Sequence, residues 1–183
     1  LEYGFEQYGI DILTRYYDLI SRNGETYLWY FPDGKPSTVE ASTSPDAEPT
    51  DGWGSSAMLY ALVEGLAGVQ DKDKLFRRVR LCPKWLSAGV EKAEVKIDYK
   101  SSGAYVRYDY IHTHDQLTIN LSGSYAYIQL SLPVPENYTV GDLMIGGKKK
   151  KYIMASFNQG NYLIADADIK GDCEIILDLR KRN

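Results

Sequence analysis

Cysteine, histidine and methionine are all scarce: 2 Cys, 2 His and 3 Met in 183 residues. That excludes a disulfide-dense miniprotein. Cys82 and Cys173 are too far apart in sequence for a metal-binding motif and are expected as two separate buried thiols, with a disulfide between them left open. No stretch reaches the roughly 18 consecutive apolar residues of a membrane span, so none is expected. A basic stripe is also missing: the net charge is −4 and the isoelectric point about 5.2, which argues against a nucleic-acid partner. There is no Ser-His-Asp order, no phosphate-binding glycine loop and no dinucleotide fingerprint. Gly146-Gly147-Lys148 lacks the strand–loop–helix setting of a phosphate loop. His112 and His114 lie near Asp109 and Asp115 but show no clear third zinc ligand. No metal and no cofactor are expected.

What remains is the composition of an ordinary globular chain, 44% apolar and 25% charged. Its length fits one large domain or two small ones. Tyrosine is abundant, with 16 Tyr against 4 Phe and 3 Trp. Tyr suits surfaces that handle polar rings, and it suits ordinary β-sheet equally. Tyr105, Tyr108, Tyr110, Tyr125 and Tyr127 alternate between odd and even positions, which spreads them over both faces of a sheet.

The pattern changes near residue 70. In Glu2–Ser21, Phe5, Tyr8, Ile12, Leu13, Tyr16, Leu19 and Ile20 recur at three- and four-residue steps, which predicts a helix stopped by Asn23-Gly24. A second helix is predicted over Ser55–Leu66, capped by Gly54 or Ser55 and closed by Gly68. The segment between them holds Pro32, Pro36, Pro45 and Pro49 together with Trp29, Tyr30, Phe31 and Trp53. A linker that long in a compact domain is usually functional or disordered, and its aromatics favour function. After residue 70 the period becomes two. Strands are predicted over Ala93–Tyr99, Ala104–Ile111, Gln116–Leu121, Tyr125–Leu132, Tyr138–Ile145, Lys149–Phe157, Tyr162–Ala167 and Glu174–Leu179. Short strands with frequent turns predict an antiparallel β-sandwich. The chain opens at Leu1 inside an apparent helix, which reads as a fragment of something longer. Asn120-Leu-Ser122 and Asn137-Tyr-Thr139 match the glycosylation pattern.

The run from Asp51 through Gly52, Trp53, Gly54, Ser55 and Ser56 to Glu64-Gly65-Leu66-Ala67-Gly68-Val69 resembles the last barrel helix of the six-hairpin glycosidases. These include α-L-rhamnosidase-like and debranching-type bacterial enzymes. There, such a helix is followed by a charged link and a Leu-x-Pro segment that introduces a C-terminal β-sandwich. Here Leu81-Cys82-Pro83-Lys84-Trp85 stands in that place. The resemblance covers nearly the whole chain. It implies an α+β fold: residues 1–70 form the terminal helical hairpin of an (α/α)6-type barrel, with a long aromatic and acidic loop at 24–54. Residues 71–183 form an antiparallel β-sandwich of about eight strands. It further implies a bacterial, periplasmic or secreted glycoside hydrolase whose signal peptide lies outside this segment. The partners implied are an oligosaccharide or polysaccharide substrate and the remainder of the parent enzyme.

Glu25 through Trp29 to Lys35 resembles the segment joining the last two barrel helices. Rhamnosidase-like members carry a Trp-Glu pair there, whose carboxylate can act as general base. Here Trp29 is followed by Tyr30, so that role does not transfer to Tyr30.

Glycoside hydrolysis usually takes two carboxyl groups, one protonating the leaving oxygen and one activating water or attacking the anomeric carbon. With one hairpin of the barrel in hand, at most half of the pair is expected in this chain. The isolated fragment is then expected to be inactive. Glu25, Glu40 and Asp51 are the candidates for that carboxylate. Glu25 and Glu40 can equally be solvated loop charges, and Asp51 a helix cap. Trp29, Tyr30 and Trp53 are candidates for contact with a sugar face, or for sealing the barrel rim against the sandwich. The alternative reading is a free-standing carbohydrate-binding or structural β-sandwich module.

Overall fold

Alternating apolar residues build two facing sheets. The computed structural model describes residues 1, 4–41, 48–50, 52–158 and 160–182. Two helices come first, α1 (Glu6–Asn23) and α2 (Gly52–Tyr60). Then follow β1 (Val69–Asp73), β2 (Arg78–Leu81), β3 (Lys92–Tyr99), β4 (Ala104–His112), β5 (Gln116–Gly123) and β6 (Tyr127–Val134). β7 (Tyr138–Ile145), β8 (Lys148–Lys150), β9 (Ile153–Phe157), β10 (Gly160–Asp168) and β11 (Cys173–Lys181) complete the chain. One sheet has the order β1-β2-β6-β10-β9 and the other β3-β4-β5-β11-β7-β8.

The core lies between them. Val106, Tyr108 and Tyr110 of β4, Ile119 and Leu121 of β5, Ile175 and Leu177 of β11 and Leu143 of β7 face it from the six-stranded sheet. Val79 and Leu81 of β2, Leu130 and Leu132 of β6 and Leu163 of β10 face it from the other. Each such aliphatic side chain stabilises the fold by about 1.5–3 kcal/mol. Cys82 and Cys173 are free and buried.

The structure corrects the sequence-based expectations in four places. β1 and β2 were not anticipated. They are short and charged, and only Val69, Val79 and Leu81 mark their buried face. β2 pairs with β6 in parallel, so the sandwich is mixed rather than wholly antiparallel. The run expected as one strand over Lys149–Phe157 divides: β8 pairs with β7 in one sheet, and β9 pairs with β10 in the other. The second helix begins at Gly52, so Gly54 and Ser55 lie inside it, and its end loosens into a π-helical turn over Ala61–Leu66 in which Ala67 N–H reaches Leu62 O at 2.8 Å. The described chain is mostly β, and its two helices do not by themselves form a barrel.

Two glycines close the helices. At Gly24 the chain turns left-handed (φ 81°) and its N–H returns to Ile20 O at 2.7 Å. At Gly68 (φ 68°) the backbone passes so near the Cys82 carbonyl that any Cβ would overlap it. The link from helix to sandwich is thereby fixed. Cys82 N–H bonds Gly68 O at 2.7 Å and Lys84 N–H bonds Leu66 O at 2.9 Å. The Lys84 ammonium is fully buried there and donates to Cys82 O at 2.7 Å and to Gly65 O at 3.4 Å.

Candidate functional site

The proline-rich segment after α1 is folded back on itself. Asp33-Gly34 makes a tight turn: Gly34 N–H bonds Phe31 O at 2.8 Å, and Lys35 N–H bonds the Asp33 carboxylate at 3.1 Å. Ser37 N–H bonds Trp29 O at 3.0 Å and Leu28 N–H bonds Pro49 O at 2.9 Å. Ser37 and Thr26 are buried polar residues, and both are satisfied. The Ser37 hydroxyl bonds Pro49 O at 3.1 Å, and the Thr26 hydroxyl meets the Ser55 hydroxyl of α2 at 2.7 Å.

This folding brings Glu25 and Tyr30 together. The Tyr27 hydroxyl donates to the Glu25 carboxylate at 3.1 Å, and the Tyr30 hydroxyl lies 3.5 Å from Glu25 O. Tyr16 of α1 meets the Tyr30 ring edge-on at 6.2 Å, and Tyr27 meets it at 5.9 Å. Gly54 lets α2 approach the Tyr16 hydroxyl, where any Cβ would collide with it. A cleft of about 410 Å³ opens beside Glu25, between Ile20, Thr26, Thr50 and Ser55. The Tyr27 phenol is pushed up, by desolvation first and then by the bond to and charge of Glu25.

Glu40 is exposed on a turn in which Ala41 N–H bonds Thr38 O at 3.2 Å. Its carboxyl is held below the usual range by its own backbone N–H and then by the Thr38 hydroxyl, which favours the anion. Trp29 is half-buried and packs edge-on against Phe31 at 4.4 Å. Trp53 stands on the first turn of α2 with 84% of its surface exposed. Asp51 lies outside the described residues.

A second concave site was not legible in the sequence. Glu6, at the start of α1, is 93% buried, with a relative exposure of only 7%. Its carboxylate Oε1 accepts from the Tyr162 hydroxyl of β10, and the same hydroxyl accepts from Gly4 N–H at 3.2 Å. The Tyr162 phenol is raised, by desolvation and then by that bond. Glu6 borders a cleft of about 390 Å³ between the start of α1, Leu86–Ser87, the end of β6 with the residues that follow it (Pro133–Tyr138), and the start of β10 (Gly160–Tyr162). Glu6 and Tyr162 are 156 residues apart in sequence, so no spacing signals their meeting.

Among the described residues no cluster of three or more His, Cys, Asp or Glu side chains is arranged to hold a metal, and no helix is long and apolar enough to cross a membrane. No family model matches the chain, and no curated protein matches it. Among solved structures the chain is similar to an α-L-rhamnosidase from Dictyoglumus thermophilum. That likeness has a TM-score of 0.44 and 12% identity, over 73% of this chain and 15% of that one. The chain thus spans 15% of the length of that protein.

Proposed function

We propose that this chain is the C-terminal part of a six-hairpin carbohydrate-active enzyme, a glycoside hydrolase. In this reading residues 1–70 are the last hairpin of a helical barrel. Residues 71–183 are the sandwich that buttresses it. The observation that carries the reading is the uncovered apolar surface of the helices. Tyr8 and Ile12 of α1 are 69% and 48% exposed, and Leu59 and Tyr60 of α2 are both 63% exposed. Apolar area of this kind marks a surface built to be covered. Further barrel helices are the covering the resemblance implies.

Within this reading Glu25 is the carboxylate the chain contributes. It lies on a cleft, with a Tyr hydroxyl on its carboxylate and two aromatic rings beside it. It would activate water from one side of the sugar while an acid from an earlier hairpin protonates the leaving oxygen. Trp29, Tyr30 and Trp53 would offer ring faces to the substrate at the rim. Glu40 is the weaker candidate because it stands on an exposed turn and is not among the residues lining the Glu25 cleft. The alternative of a free-standing binding module needs a tyrosine platform on one open face, and Tyr108, Tyr110 and Tyr125 are instead buried.

Hydrogen exchange tests the covering. In the 183-residue chain the amides of α1 and α2 are expected to exchange much faster than those of β5 and β11. In a longer chain carrying the upstream hairpins, the helix amides are expected to become protected while the sandwich stays as it was. Helices as protected alone as in the longer chain would remove the reason for proposing a barrel.

A further inference from the structure

We infer that the cleft beside Glu6 is a binding site for a single neutral sugar unit, separate from the Glu25 cleft. Three features build it. First, Glu6 is held in place. Both of its bonds, from Tyr162 hydroxyl and from Gly4 N–H at 3.4 Å, fall on Oε1, and Oε2 has no hydrogen-bond partner among the described residues. A carboxylate fixed through one oxygen is a pre-oriented, charged acceptor on the cleft it lines. Second, the site depends on a close backbone approach. A Cβ at Gly160 would lie 2.8 Å from Gly4 N, so glycine there lets the start of α1 close down on β10.

Third, the lining selects the ligand class. Among the described residues the charged groups on the cleft are Glu6 and Glu136, with no Lys or Arg, a lining that repels anions. Gln7 and Asn137 carry both donors and acceptors, and Asn161, whose Oδ1 already accepts from the Ser156 hydroxyl at 2.6 Å, has its amide N–H groups as donors. Pro133, Pro135 and the ring of Tyr138 supply apolar walls. Hydroxyl donors for the free carboxylate oxygen, a C–H face for the walls and no negative charge describe a neutral pyranose. The volume of about 390 Å³ lies at the lower end of ligand pockets, as one ring requires. The choice of a sugar over another neutral polyol rests on the proposed function. The position on the seam between α1 and the sandwich would let an extended substrate be gripped away from the reacting bond.

The test is amide-resolved NMR titration of the 183-residue chain with methyl α-L-rhamnopyranoside, methyl α-D-glucopyranoside and sodium galacturonate. A neutral glycoside is expected to shift the amides of Asn137, Gly160 and Asn161, and galacturonate to leave them unmoved. Glu6→Gln is expected to weaken the neutral glycoside by roughly tenfold or more, as loss of a charged acceptor implies. Asn161→Ala, which leaves the Glu6–Tyr162 bond intact, should weaken it as well. Unchanged amides in β5 and β11 would show that both variants remain folded. No shift from either neutral glycoside, equal binding by Glu6→Gln, or shifts confined to Glu25–Tyr30 would each overturn the proposal. The last result would leave the proposed function standing, and the titration does not depend on catalysis.

Discussion

The Trp85 indole N–H donates to the Tyr108 hydroxyl at 2.8 Å, and that hydroxyl in turn donates to Ala67 O at 2.6 Å. Tyr108 projects from the middle of β4, Trp85 stands just after β2, and Ala67 closes the helical segment. One phenol thus ties the sheet, the link and the helix end. Its neighbour two residues on is the counterexample. Tyr110 is equally buried, yet its hydroxyl has no hydrogen-bond partner among the described residues.

Removing the two hydroxyls therefore has different consequences. Tyr108→Phe leaves an indole N–H and a carbonyl unpaired and is expected to lower stability by about 1–3 kcal/mol. Tyr110→Phe removes an unmet polar group and is expected to leave stability unchanged or raise it. Urea unfolding followed by circular dichroism measures both. Equal losses in the two variants would show that burial of the ring, rather than the relay, sets the cost.

Glycine at position 68 is a stronger requirement than glycine at 54. At Gly68 an added methyl meets the Cys82 backbone carbonyl, and φ is in the left-handed region, so neither side can yield. Gly68→Ala is expected to cost roughly 2–4 kcal/mol, from the unfavourable φ together with overpacking. At Gly54 the obstacle is the Tyr16 hydroxyl at the end of a side chain that can swing. Gly54→Ala is expected to cost less and to displace Tyr16 from Tyr30. Thermal melts of both variants rank the losses, and a larger loss at Gly54 would contradict this account of the seam.

Acid sensitivity is expected from His112. Desolvation holds its imidazole below the usual range, opposed by Glu91, and its buried Nε2 has no hydrogen-bond partner among the described residues. The unfolded chain then binds the proton more tightly than the folded one. The stability His112 contributes is full above its unfolded pKa of about 6.5 and is lost as pH falls from there through the lower value of the folded state. His112→Gln should flatten the decline in melting temperature between about pH 7 and pH 5. A decline of unchanged depth would place the sensitivity elsewhere. The lowered Asp33 and Asp73 carboxyls act in the opposite sense to a raised group: their stabilisation is present above about pH 4 and is lost below it.

Much of the sandwich was legible because its strands are paired in register over long stretches. Val95 and Ile97 point one way along β3, and the same alternation runs through β4 and β5, so period alone located them. β1 and β2 escaped because a short strand with one or two apolar residues has no period to read. The break at Lys151-Tyr152 escaped for a different reason. Only those two residues separate β8 from β9, and it is pairing with different partners that puts them in two sheets. At the Glu25 site the turn at Asp33 was legible from local chemistry. The joining of Glu25 to Tyr27 and Tyr30 was not, because it depends on how the segment folds back. Glu6 had no local signal at all, since its partner lies on β10.

Turnover is the most direct measure of the central claim. Release of the aryl group from a panel of aryl glycosides should be compared for this chain alone and for the chain extended by the helical hairpins proposed to precede it. The account predicts no turnover by the 183-residue chain. It predicts turnover by the extended chain and at least a hundredfold loss in its Glu25→Gln variant, the lower end of what a general base contributes. Hydrolysis by the short chain, or full activity of the extended chain without the Glu25 carboxylate, would contradict it.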